Sequence, residues 1–290
     1  MVMEHTEDTF ESTGGLKLYY QRWHPQQGEP RTALAIVHGI GEHSGRFQNI
    51  VNHFVSHGHA VYALDLRGHG RSPGPRGHLM SWSEYIEDVR AFLAMIVARE
   101  PGRPLFLYAH SMGGLIGLEY VLRHPQGLSG VIISGPPFES AVVTPTLLLS
   151  ALAFGKLFPL MPLKVNLVPE AMCNNPAVVS AYLADPLVHR QCTARWAFEA
   201  LKVGGWIKSH IKDLSIPLLL LHGEKDSVNP PGGARKVFDM MTFPDKKMYL
   251  VPGGYHEPHS DAGYEHVLQM VEEFVLAHVP ARAPARTATA

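Results

Sequence analysis

The sequence predicts an α/β fold with a mostly parallel eight-stranded sheet flanked by helices and interrupted by a helical cap insertion. Three observations carry this expectation. Short, nearly uniform apolar runs alternate with segments of helical periodicity, as in a sheet covered on both faces. One run, Leu105–Tyr108, stops at a serine among small residues, and a helical pattern follows at once. A proline-broken apolar stretch from about residue 136 to 206 suspends the alternation, which then resumes.

In chain order, Phe10 to Trp23 holds a Thr13-Gly14-Gly15 break between two alternating segments and reads as a β-hairpin. Ala33–Val37, Ala60–Leu64, Leu105–Tyr108 and Val131–Ser134 read as buried parallel strands, with helices at Phe47–Ser56, Trp82–Arg99 and Gly114–Arg123. Leu218–Leu221 and Lys247–Val251 complete the eight, backed by helices near Ala234–Met241 and Gly263–His278. The expected organisation is a core in two parts, 1–135 and 207–280, a cap at 136–206 and a disordered tail at 281–290. An insertion after Val131–Ser134 lands at the carboxyl edge of the sheet, where open α/β folds bind ligands.

The 290 residues, 46% of them hydrophobic, suffice for one large domain with an insertion. A net charge of -1 without runs of like charge argues against a nucleic-acid partner. Cys173 and Cys192 are too few for a disulfide scaffold and read as free thiols of a reducing compartment, with one disulfide between them as the alternative. The acidic N-terminus lacks the pattern of a signal peptide, and Lys156, Pro159 and Pro162 break the leucine-rich stretch 147–163. The expected location is cytoplasmic.

The serine is Ser111 in Tyr108-Ala109-His110-Ser111-Met112-Gly113-Gly114, the pattern of a nucleophile elbow. Its Oγ must clear the backbone, so small residues are needed two positions either side. Gly113 meets that need downstream. Ala109 stands where a glycine is usual, and one extra methyl group is expected to be tolerated. A serine hydroxyl needs a base, and the base needs a carboxylate to hold its tautomer. Asp226 in His-Gly-Glu-Lys-Asp and His256 in Gly-Gly-Tyr-His each follow a strand, giving the order Ser, Asp, His. Glu224 and His259 compete for these two places, and joint placement favours Asp226 and His256. The oxyanion calls for two backbone donors: Met112 after the nucleophile, and Ile40 in the loop His38-Gly39-Ile40-Gly41-Glu42-His43-Ser44-Gly45.

Two rival chemistries fail on spacing. Ser44 stands where a dinucleotide-binding GxGxxG has its third glycine, so no nicotinamide or flavin cofactor is expected. In His256-Glu257-Pro258-His259 the histidines are three apart with a proline between them, not four apart on a helix, so no metal is expected there. Most of the remaining histidines read as surface or hydrogen-bonding residues.

Taken together, His38 to Arg46, Asp65-Leu66-Arg67-Gly68-His69-Gly70-Arg71-Ser72, His110 to Gly114 and Tyr255-His256 resemble the monoacylglycerol lipase family of α/β-hydrolases. Tyr182-Leu183-Ala184-Asp185-Pro186-Leu187 is similar to that family's cap. The departures are Ala109 and Ile40, the latter in place of a smaller residue. The resemblance implies hydrolysis of monoacylglycerol esters through an acyl-enzyme without a cofactor, and an apolar cap that meets a membrane peripherally. It also implies that Glu42, Arg46, Tyr182 and His259 surround the glycerol. Alternatives within the class are a lysophospholipase, a broad carboxylesterase or an aminopeptidase; outside it stands a ligand-binding protein that has kept the fold without turnover.

Overall fold

The computed structural model describes residues 3–141, 143–165 and 167–279; the tail expected at 281–290 lies outside them. The hairpin forms from β1 (Met3–Glu11) and β2 (Lys17–Pro25), paired antiparallel with Phe10 opposite Leu18. Then come β3 (Ala33–Val37), α1 (Gln48–Ser56), β4 (Ala60–Leu64), α2 (Ser83–Arg99), β5 (Leu105–His110), α3 (Met112–Arg123) and β6 (Gly130–Ser134). The segment 136–206 holds α4 (Pro145–Phe154), β7 (Pro162–Lys164), α5 (Pro169–Met172), α6 (Pro176–Ala184), β8 (Gln191–Thr193) and most of α7 (Ala194–His210). The chain closes with β9 (Leu218–Gly223), α8 (Pro231–Met240), β10 (Lys246–Val251) and α9 (Tyr264–Ala277).

Eight strands form one sheet in the order β1-β2-β4-β3-β5-β6-β9-β10. Only the β1–β2 and β2–β4 pairings are antiparallel, so the sheet is mostly parallel. Alternation within the buried strands decides which core each residue joins. Ala33, Ala35 and Val37 of β3, with Leu105, Leu107 and Ala109 of β5, pack towards α2, α3 and α8. Leu34, Ile36, Phe106 and Tyr108 pack towards α1 and α9. A third cluster lies mostly within 136–206, around Ala151, Leu163, Leu167, Cys192 and Ala197, and is joined by Val228.

Differences from expectation are local. β5 runs on to His110, which pairs with Ser134. α3 starts at Met112 rather than Gly114, because Gly113 is already helical and pressed against the Val37 and His38 carbonyls. The antiparallel pair β7–β8 was not anticipated: each strand is three residues long, below what periodicity can reveal. Cys173 and Cys192 are free and buried.

Candidate active site

β5 is flanked by β3 and β6, and its carboxyl end delivers Ser111 directly into the first turn of α3. Ser111 has φ 53° and ψ -120°, the only positive φ at a non-glycine among the described residues. Such a conformation costs on the order of 1–3 kcal/mol and persists only where its surroundings enforce it. Here the Ser111 amide donates to the Ser134 carbonyl at 2.8 Å, and the Gly114 amide donates back to the Ser111 carbonyl at 2.8 Å. Two close approaches hold α3 against the sheet. A Cβ on Gly113 would lie 2.6 Å from the His38 carbonyl oxygen. One on Gly117 would lie 2.8 Å from the Ala109 Cβ, so the missing side chain one α3 turn later makes room for the Ala109 methyl.

His256 Nε2 lies 3.0 Å from Ser111 Oγ, and its Nδ1 lies 2.8 Å from Asp226 Oδ2. The other Asp226 oxygen accepts from the amides of Val228 (2.9 Å) and Asn229 (2.8 Å). Asn229 Nδ2 donates to the Gly135 carbonyl, tying this turn to the end of β6. His222 Nε2 sits 2.7 Å from the Asn229 carbonyl and 3.2 Å from Asp226 Oδ2. Burial would raise the Asp226 carboxyl, but His256, His222 and the backbone amides outweigh it and hold it well below the usual carboxylate range. Burial would likewise favour neutral His256; the carboxylates, Asp226 first, reverse this and raise it. Glu224, the competitor for Asp226, instead accepts from the Gly253 amide at an exposed turn.

The loop after β3 is stiffened by His38. Its Nδ1 donates to the Gly39 carbonyl at 2.7 Å and its Nε2 accepts from the Leu66 amide at 3.0 Å, which fixes the neutral tautomer. Burial pushes this imidazole down to about 4. The Gly41 carbonyl accepts from the His189 amide, and His43 Nε2 meets Asp185 Oδ2 at 2.8 Å, so the 182–189 segment is fastened to the loop that carries Ile40. Ile40, Ser111 and Met112 share the wall of one cavity. Met112 opens α3, where the first amides have no intrahelical partner.

That cavity measures about 420 Å³. Its wall is mostly apolar, with Phe138, Leu148, Leu167 and Trp196 prominent, and Ser111, Ser140, Lys208 and Asn229 add its polar groups. Gly204 and Gly205 in the middle of α7 also line it, and a Cβ on either would meet nothing within 4 Å.

Glu42, Arg46, Tyr182 and His259 do not line this cavity; they form a buried polar cluster beside it. Arg46 Nη2 donates to both oxygens of Glu257 at 2.8 and 2.9 Å, its Nε donates to Glu42 at 3.3 Å, and its guanidinium lies 4.7 Å from the centre of the Tyr182 ring. Glu42 Oε1 accepts from the Gly39 amide at 2.6 Å. A Cβ on Gly39 would lie 2.8 Å from that oxygen and 3.0 Å from the Ser111 Cβ, which places the cluster against the serine. Burial, then the Glu257 charge, raises the Glu42 carboxyl to about 7 against the pull of Arg46. His259, the competitor for His256, stacks on Phe47 at 5.0 Å and hydrogen-bonds Tyr108 Oη at 3.2 Å. Burial, then Arg46 and His256, pushes it down to about 3, so it stays neutral. Glu257 was missed by sequence reasoning. Its adjacency to His256 was the one available signal, because its partner Arg46 lies 211 positions away.

A serine strained out of a strand-to-helix turn, facing a histidine already engaged by a carboxylate at the carboxyl edge of a parallel sheet, is how an α/β-hydrolase of the serine class is built. Comparison with known proteins narrows this. The family described as serine aminopeptidase, S33, matches residues 28–263. A monoacylglycerol lipase of Mycolicibacterium smegmatis is 36% identical over 276 residues, covering 94% of this chain and 98% of the relative. The crystal structure of Paleococcus ferrophilus monoacylglycerol lipase superposes with a TM-score of 0.80 at 28% identity, covering 96% of this chain and all of the other. A soluble variant of monoglyceride lipase from Saccharomyces cerevisiae, in complex with a substrate analog, gives 0.86 at 24% identity, covering 97% of each chain, and shares the fold. The chain belongs to the monoacylglycerol lipase family of α/β-hydrolases.

Proposed function

We propose that this protein hydrolyses the ester bond of monoacylglycerols to glycerol and free fatty acid through an acyl-enzyme. The observation that carries the reading is the Ser111–His256–Asp226 chain of contacts opening onto an apolar cavity. Ser111 Oγ attacks the ester carbonyl while His256 Nε2 takes its proton; Asp226 holds His256 in the tautomer that can accept it. The amides of Ile40 and Met112 receive the oxyanion. His256 returns the proton to the departing glycerol oxygen, and water then repeats the sequence on the acyl-enzyme. The apolar cavity takes the acyl chain. Glu42, Arg46, Tyr182 and His259, with Glu257, meet the alcohol end.

The reading extends to residues 136–206 as a cap that meets a membrane surface peripherally. Leu149, Leu152, Leu157, Phe158 and Leu160 are all more than half exposed within a dozen residues, which supports it. Among the described residues no helix is long and apolar enough to cross a membrane.

The decisive experiment is stoichiometric labelling of Ser111 by a fluorophosphonate, followed by rates on monoacylglycerols of graded chain length beside lysophospholipids and p-nitrophenyl esters. Labelling with fastest turnover of monoacylglycerol supports the proposal. Faster turnover of a lysophospholipid or simple ester reassigns the substrate, and absence of labelling removes the catalytic reading.

A further inference from the structure

At the edge of the sheet opposite Ser111, where α1 ends and β4 begins, three histidines converge on one carboxylate. His53 and His57 are four residues apart across the last turn of α1 and therefore share a face. Glu272 projects from α9, which packs beside α1 on the same side of the sheet. His53 Nε2 lies 2.8 Å and His57 Nδ1 3.1 Å from the same oxygen, Glu272 Oε2. His59 Nε2 lies 3.5 Å from the other oxygen, Oε1.

We propose that His53, His57 and Glu272 bind a divalent transition-metal cation of the Zn²⁺ type, with His59 as a positioning residue for the Glu272 carboxylate. Metal–ligand bonds of about 2.0–2.1 Å put the donors of a tetrahedral site roughly 3.3 Å apart. The three donor atoms here, one from each residue, lie within 4.8 Å of one another, so a cation draws them together by side-chain rotation alone. His59 is the second, independent observation. Its ring is fully buried, its Nε2 makes no hydrogen bond, and it faces Glu272 while Thr32 Oγ1 holds its Nδ1 at 2.7 Å. A metal-bound carboxylate supported from behind by an oriented group is how such sites fix their ligands. Two imidazoles and one carboxylate favour Zn²⁺, Co²⁺, Ni²⁺ or Cu²⁺ over Ca²⁺ and Mg²⁺, which prefer oxygen. His57 is about half exposed, giving a cation entry from solvent and leaving a coordination position for water.

The site joins α1, which the oxyanion loop enters, to α9, which the His256 loop enters. Occupancy therefore ties together the helices behind both halves of the active site, and stabilises the fold without touching the reacting atoms.

The test is titration of the metal-free full-length protein with ZnCl₂ by calorimetry, with melting temperature read in parallel. One saturable equivalent and a rise of roughly 5 °C at saturation are expected. His53→Ala and the isosteric Glu272→Gln should each abolish that equivalent, and His59→Ala should weaken it about 10–100-fold. Removal of the exposed His266 should change nothing. Substituted Co²⁺ should show the visible absorption of a low-coordinate N/O site. No saturable binding, or a tight equivalent that survives in both His53→Ala and a folded Glu272→Gln, would overturn the assignment.

Discussion

The Ala109 methyl occupies space that Gly117 leaves open. The Cβ that Gly117 lacks would sit 2.8 Å from Ala109 Cβ and 3.3 Å from Ile133 Cδ1. The elbow thus departs from its usual small-residue pattern on the strand side, and the helix accommodates the change one turn later. Gly117→Ala should destabilise the fold by about 1–3 kcal/mol through overpacking, even though alanine is the better helix former. Adding Ala109→Gly should restore most of the loss. Urea denaturation of both singles and the double measures the coupling; strict additivity would mean that the two residues are independent.

Ser111→Ala and His256→Ala should each remove turnover by a factor on the order of 10⁴ to 10⁶, and the double variant should match either single, because the members act as one unit. Steady-state rates on one monoacylglycerol decide this. If His259→Ala abolished activity while His256→Ala retained it, the base would be misassigned.

The pH dependence has a definite sign. The proposed mechanism needs neutral His256, and the carboxylates around it raise its pKa above the ordinary 6.5. The acid limb of kcat/KM should therefore fall on the alkaline side of that value, dropping about tenfold per pH unit below it. Asp226→Asn takes away the largest raising influence. It should shift the limb to lower pH and lower kcat by about 10⁴ through loss of the productive tautomer. A limb unmoved by Asp226→Asn would mean that another group titrates.

The proposed site predicts that alcohol recognition is separable from acyl recognition. Glu42→Gln and His259→Ala should reduce kcat/KM on monoacylglycerol by about 0.5–1.5 kcal/mol per lost hydrogen bond, and leave a p-nitrophenyl ester of the same acid nearly unaffected. Equal losses on both substrates would assign the cluster to support of the Ser111 and His256 loops. Arg46 is a poorer probe, since its removal strands Glu42 and Glu257 in a buried site.

Vesicle flotation tests the apolar surface. Leu157→Asp with Leu160→Asp should abolish retention on lipid, as each exposed side chain contributes about 25 cal/mol per Å² of apolar area buried. Leu148 is a poor probe because it also lines the cavity. Retention unchanged by the double substitution would exclude this surface.

Most of the sheet was legible because each buried strand is short, apolar and bounded by turn residues; Ala33–Val37 and Ala60–Leu64 are found at the expected limits. Gly113 misled because glycine marks both turns and close helix packing, and only the distance to the His38 carbonyl tells the two apart. The juxtaposition of Ser111, Asp226 and His256 within hydrogen-bond reach was foreseeable from their order after strand ends. Glu42 and Arg46 were grouped by the family resemblance, but their link to Glu257 was not legible, since a contact across 211 positions leaves no periodic trace. His53, His57 and His59 read as ordinary polar residues for the same reason: their shared carboxylate arrives from a helix more than two hundred residues later.

Two adjacent glycines inside α7 make that helix worse as a helix. Each costs roughly 1 kcal/mol relative to alanine, and no neighbouring atom forbids the replacement. A protein selected for rigidity alone would have alanines there. Stability engineering guided by helix preference would choose Gly204 and Gly205 among its first targets, and each added methyl would project towards the space that the acyl chain is proposed to occupy. Thermal robustness and the range of fatty acids accepted are thus set against each other at a single helical turn, some distance along the chain from any residue that handles a proton.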